Sequence, residues 1–133
     1  MALKLTLKPN EKIIINGAVI TNGPSKCGFS IENTAVILRD KDIMLESEAN
    51  TPAKRIYFCV MMAYLDAANR NAYLERFNEF AADFIRAVPS DEVRDIIVPI
   101  GTGVASGKYF NALKQCKKLI AFEETRLGPT HGG

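Results

Sequence analysis

A chain of 133 residues that is 47% hydrophobic and 24% charged is long enough to bury one sizeable core and too apolar to stay disordered over most of its length. The net charge of +2 is too small to argue for nucleic acid by itself. Its distribution is uneven: residues 1–31 carry Lys4, Lys8, Lys12 and Lys26 against Glu11 alone, and residues 96–122 carry Lys108, Lys114, Lys117 and Lys118 with no acid.

The first half has a hydrophobic period of two. Leu3, Leu5 and Leu7 alternate with Lys4, Thr6 and Lys8, which predicts a half-buried strand, and Pro9-Asn10 turns the chain. Two further strands, Lys12 to Ile15 and Ala18 to Thr21, flank Asn16-Gly17, a pair that tolerates the positive φ values of a type I′ hairpin turn. After Asn22-Gly23-Pro24-Ser25, strands are predicted over Cys27 to Glu32 and Ala35 to Arg39, around Asn33-Thr34. The spacing suggests a small, strongly twisted antiparallel sheet or an open barrel. Residues 40–50 are polar and lack a period, so they read as a connector with one helical turn.

From Thr51 the period becomes helical. Thr51 offers an N-cap hydroxyl and Pro52 suits the first helical position of a helix over residues 52–66, whose apolar residues run nearly all round. A second helix spans about Asn71 to Val88, with Tyr73, Phe77, Phe80 and Phe84 on one face. Ser90, Asp91 and Glu92 start a third, shorter helix, limited by Pro99 and Gly101. A fourth runs from about Lys108 to Leu127 and stops at Gly128-Pro129. Its predicted core face is Tyr109, Leu113, Cys116 and Ile120, with Asn111, Lys114, Lys117 and Lys118 opposite. The expected class is α+β: an antiparallel β subdomain over 1–50 packed on about four helices over 51–128, with a disordered tail at 129–133.

Catalytic chemistry has little to stand on. The single histidine, His131, excludes a catalytic triad or a multi-histidine metal site. Cys27, Cys59 and Cys116 are odd in number and form no Cys-x-x-Cys pair, which points to reduced thiols in or near the core. No metal or cofactor is expected. The acidic pairs Asp40/Asp42, Asp91/Glu92 and Glu123/Glu124 read as solvated charges beside turns and helix ends. Residues 101–108, GTGVASGK, end in Gly-Lys like a phosphate-binding loop. However, Thr102 stands where that loop needs glycine and Tyr109 where it needs Ser or Thr. They read instead as an interhelix loop with Ser106 capping the last helix. The N-terminus lacks a secretory signal pattern and no apolar run could span a membrane, so a cytoplasmic protein is expected.

The runs Leu38-Arg39-Asp40-Lys41-Asp42-Ile43-Met44 and Thr51-Pro52-Ala53-Lys54-Arg55-Ile56-Tyr57-Phe58 resemble the FlbT family. The likeness extends to the opening LKLTLKPNEKIIINGAVI, the Tyr64-Leu65-Asp66 step and the close KYFNALKQCKKLIAFEETRLG. It implies a non-enzymatic regulator that represses flagellin synthesis by acting on the 5′ leader of flagellin mRNA. It also implies FlaF as a small partner. The first half further resembles the carbon storage regulator family of mRNA-leader binders, with Arg39 near that family's RNA-contacting arginine. It departs at Leu7-Lys8, where that family has two basic residues, and in the spacing after Arg39. This second resemblance implies a homodimer.

Two surfaces could meet RNA. Lys4, Thr6 and Lys8 share one strand face, with Arg39 as a planar donor suited to bidentate contact or stacking. Lys114, Lys117 and Lys118 form a second basic face on the last helix. In each case a solvated surface is the competing reading. Lys54 and Arg55, in a first helical turn where positive charge opposes the dipole, are expected to form salt bridges within the fold, for example to Asp40 or Asp42, with anion binding as the alternative. The aromatic residues sit at core spacing. The alternative function is a protein-interaction module in the helical half that binds flagellin or FlaF, acting on the mRNA indirectly.

Overall fold

The structure is a computed structural model that describes residues 2–126. Leu127, the Gly128-Pro129 stop, His131 and the tail predicted at 129–133 lie outside the described residues. Among the described residues five strands and four α-helices make an α+β protein, and the chain forms two compact units divided between Ile43 and Met44.

The first unit holds the strands β1 (Leu3–Leu7), β2 (Lys12–Ile15), β3 (Ala18–Thr21), β4 (Cys27–Ile31) and β5 (Ile37–Arg39). They form two antiparallel ladders, a two-stranded β1-β4 and a three-stranded β3-β2-β5. The predicted hairpin turn is present: Asn16 has φ 50° and Gly17 φ 85°, the left-handed pair a type I′ turn requires. The turn after β1 is equally specific. The Glu11 N–H donates to the Lys8 carbonyl across Pro9 and Asn10, and Asn10 has φ 64°. That is a type II turn with proline and asparagine in their favoured positions.

Although β4 and β5 are neighbours in sequence, they do not pair with each other. Val36 is clamped to the hairpin tip instead, its N–H donating to Asn16 Oδ1 at 2.9 Å and its carbonyl accepting from the Asn16 N–H at 2.8 Å. Leu38 is thereby set against Ile14 on β2. Ile13, Ile14 and Leu38 are buried, and this burial favours the β2-β5 ladder over a β4-β5 hairpin. Short 3₁₀ turns at Asp40–Asp42 and Glu46–Glu48 occupy the predicted connector.

The second unit contains α1 (Pro52–Leu65), α2 (Arg70–Ala87), α3 (Asp91–Ala105) and α4 (Tyr109–Arg126). Thr51 Oγ1 accepts the Lys54 N–H at 3.2 Å, as its N-cap position predicts. The central helix is α1: it packs against both α2 and α4, and α3 packs on α4. That explains why its apolar residues run nearly all round, with Ile56, Tyr57, Val60 and Met61 among those buried.

Pro99 and Gly101 do not limit α3, which continues to Ala105. An interior proline costs about 3 kcal/mol. Val93, Ile97, Ile100 and Val104 recur at +4, +3 and +4 and are all buried. Each such side chain contributes roughly 1.5–3 kcal/mol on burial, which outweighs the proline. Residues 101–105 are therefore helix rather than loop. The helix ends in a Schellman motif, with Gly107 at φ 75°, Lys108 N–H donating to Gly103 O and Gly107 N–H to Val104 O. The Ser106 hydroxyl donates back to Thr102 O at 2.8 Å and does not cap α4. The core face of α4 is also rotated from expectation. Ala112, Leu113, Cys116, Leu119, Phe122 and Glu123 are buried, whereas Tyr109 and Ile120 are half-buried flanks.

Candidate nucleic-acid interface

The β1-β4 register decides which side chains share a face. Lys4 lies opposite Ser30 and Thr6 opposite Gly28, and directly opposed residues project together. On the other side Leu5 meets Phe29 and Leu7 meets Cys27. Lys4, Thr6, Gly28 and Ser30 are exposed, Leu5 and Phe29 half-buried, and Leu7 buried. Lys4 and Thr6 thus share an exposed polar face with Gly28 and Ser30 of β4. The ladder ends at Leu7–Cys27; Lys8 follows β1 and Lys26 precedes β4, and both are exposed. Lys26 is not among the RNA contacts that the sequence suggests; the available signal is its place just before β4, as Lys8 lies just after β1.

Beyond this face lies an open hollow of about 870 Å³, lined by Thr6, Lys8, Pro9, Asn10, Glu11, Lys26, Arg39, Asp40 and Lys41. Its two acids are occupied with the fold. Glu11 Oε1 accepts the Lys8 N–H at 2.9 Å, and Asp40 Oδ2 accepts the Lys12 N–H at 2.8 Å. The Lys8 N–H bond, helped by Arg39, holds the Glu11 carboxyl below its ordinary pKa against a smaller opposing effect of burial. Arg39 is similarly committed: Nη2 donates to the Thr6 carbonyl at 2.6 Å and pairs with Glu11 Oε2 at 3.2 Å, tying β5 to β1. The ammonium groups of Lys8, Lys26 and Lys41 make no hydrogen bond or ion pair among the described residues.

Lys114, Lys117 and Lys118 are exposed on α4, in the second unit. Lys114 Nζ sits 4.8 Å from the centre of the Phe110 ring, so part of that charge rests on an aromatic face. Lys54 and Arg55 form no ion pair among the described residues, contrary to expectation. Arg55 instead borders a smaller hollow of about 350 Å³ where Arg55 and Arg76 are matched by Glu46 and Glu79. That balance gives an anion no net attraction.

Three acids depart from the solvated reading. Glu123 is buried, and its Oε2 accepts the Ala53 N–H at 3.0 Å, so α4 supplies an acceptor to the N-terminus of α1. Asp42 is buried as well, and Asp40 is bound to β2 as described. Asp91, Glu92 and Glu124 are exposed, with Glu92 pairing to Arg126 at 2.9 Å. Cys59 and Cys116 are buried, whereas Cys27 is exposed. Burial pushes the Cys59 thiol up to about 11 and Cys116 higher still. Among the described residues, no group of three or more His, Cys, Asp or Glu is placed to hold a metal ion, and no helix is long and apolar enough to cross a membrane.

The family description "Flagellar protein FlbT" matches residues 3–127. The chain belongs to the FlbT family. It is 44% identical over 128 residues to the "Probable flagellum biosynthesis repressor protein FlbT" of Caulobacter sp. strain K31, covering 96% of this chain and 98% of that one. It is 40% identical over 133 residues to the "Flagellum biosynthesis repressor protein FlbT" of Caulobacter vibrioides, covering 100% and 94% of the two chains. A Rhodopseudomonas palustris member is 42% identical over 127 residues, covering 96% and 98%. No solved structure matches this chain at a significant level. Family membership thus rests on nearly the whole length, both units included.

Proposed function

We propose that this protein represses flagellum biosynthesis as a cytoplasmic, post-transcriptional regulator. It binds the 5′ leader of flagellin mRNA and lowers translation or promotes degradation of the message, coupling filament production to assembly. The repressor role is supported by the names its relatives carry. The observation that carries RNA binding is the exposed polar face of the first unit, where Lys4 and Thr6 stand with Ser30, and Lys8 and Lys26 are exposed just beyond the ladder's end. Ammonium and hydroxyl groups on one strand face suit the phosphates and exposed base edges of an unpaired loop. The helical unit supplies core and contacts to FlaF or flagellin.

A gel-shift titration tests this reading. Purified protein meets its own flagellin leader and a shuffled RNA at two salt concentrations. Selective binding that weakens with salt is the expected result. Equal or absent binding to the two RNAs sinks it.

A second reading, a protein-binding module, is favoured by β3. Val19 is 66% exposed and Ile20 41%, and within the described residues this strand pairs on one side only. Such an edge accepts an added strand from a partner or from a second copy of the chain, giving a homodimer.

A further inference from the structure

The basic residues singled out in the sequence omit two that the fold gathers, and include one that it has already committed. Residues 1–43 carry six Lys and Arg against four Asp and Glu, whereas the rest of the chain carries eleven of each. The entire net charge therefore belongs to the first unit. Within that unit it converges on the hollow described above. Lys8 enters from the end of β1, Lys26 from the start of β4 and Lys41 from the turn after β5. The acids beside them, Glu11 and Asp40, are spent on the backbone N–H groups of Lys8 and Lys12 and, for Glu11, on Arg39. The arginine is likewise held inward by the Thr6 carbonyl.

We infer that this hollow is where the sugar–phosphate chain of an unpaired RNA segment is held, with Lys8, Lys26 and Lys41 each meeting a phosphate. The inference rests on the RNA-binding reading above and assigns its site. Three unpaired ammonium groups on separate segments can follow successive phosphates along a strand. The open concavity leaves room for bases that a flat duplex surface would keep stacked. Asn10 stands in the same wall, fixed at φ 64° in the type II turn, and its side-chain amide makes no hydrogen bond among the described residues. It is the group able to read a base edge, since it offers both donors and an acceptor. Arg39 and Glu11 form the fixed wall and not the phosphate contact.

The test is the salt dependence of leader binding by the full-length protein and two charge-matched variants, Lys26→Gln/Lys41→Gln and, as control, Arg94→Gln/Lys108→Gln. Lys26, Lys41, Arg94 and Lys108 are all exposed, and a circular dichroism melt checks that both variants fold. Each phosphate contact on a single strand contributes about 0.7 to the slope of log affinity against log salt. The hollow variant should lose about 1.4 of that slope and bind about 25-fold more weakly at 0.1 M salt, while the control keeps the wild-type slope. If the wild-type protein binds the leader and the two variants lose slope equally or not at all, the hollow is overturned while RNA binding stands. If the wild-type protein fails to bind the leader, both fall together. Asn10→Ala sharpens the result. It should narrow the preference for leader over shuffled RNA and leave the slope unchanged.

Discussion

The two units of this chain are held together in different ways. In the second, four helices bury a continuous set of apolar side chains, and the eleven cations and eleven acids cancel. In the first, Leu7, Ile13, Ile14 and Leu38 are the buried apolar residues among those described. Much of its definition comes from polar clamps: Asn16 on Val36, Asn22 on the Leu7, Lys8 and Ser25 carbonyls, and Arg39 on Thr6 and Glu11. A hydrophobic core needs only volume and pattern. A clamp needs one donor aimed at one acceptor, and so it leaves neighbouring charges free to face outward. The unit with the thinner core is accordingly the one that carries the unspent charge.

The contrast can be broken where each unit is strongest. Ile100→Ala removes a fully buried side chain of α3 and should cost about 2–5 kcal/mol, read as a lowered denaturation midpoint followed at 222 nm. Glu123→Ala strands the Ala53 N–H in a buried setting and should cost about 1–3 kcal/mol in the same assay. In the first unit, Asn22→Ala removes a donor shared by three carbonyls. About 1 kcal/mol is expected, seen as faster hydrogen exchange in β1 and β3. A loss as large as that of Ile100→Ala would mean that clamps and cores do not differ as argued.

Two smaller effects sharpen the picture. The depressed Glu11 carboxyl contributes stability that is fully present above its ordinary value of 4.5 and fades as pH falls through the lower folded-state value. Glu11→Gln should flatten that acid limb, measured by the pH titration of the Lys8 amide resonance. A thiol reagent at neutral pH should label Cys27 in the native protein and reach Cys59 and Cys116 only on unfolding. The latter two are buried and their thiols are held protonated.

Much of the fold was legible. The alternation of Leu3 to Lys8 and the Asn16-Gly17 turn predicted β1 and the hairpin, and Thr51-Pro52 marked the start of α1. These are short-range signals, set by steric limits on φ and by side chains within one turn of their backbone partners. The misreadings share one cause. Pro99 looked like a stop because propensity is local, but the burial of Ile97, Ile100 and Val104 is not. Glu123 looked solvated because nothing nearby in sequence reveals that the first turn of α1 lies beside it.

The candidate site divides along the same line. Local pattern was enough to align Lys4 and Thr6 on one face of β1, because strand alternation fixes side-chain direction without reference to the rest of the chain. It could not show that Lys26 and Lys41 line the same hollow as Lys8, or that Arg39 is turned inward onto Thr6 and Glu11. Those facts depend on which strands pair and in what register. Strand pairing is set by burial of Ile13, Ile14 and Leu38 and by clamps that span up to 33 residues of chain. Composition, family and the order of elements were thus determined by the sequence read locally. Which charges remain available to a ligand was decided only by the tertiary structure, because a charge is free only when no distant partner has been folded against it.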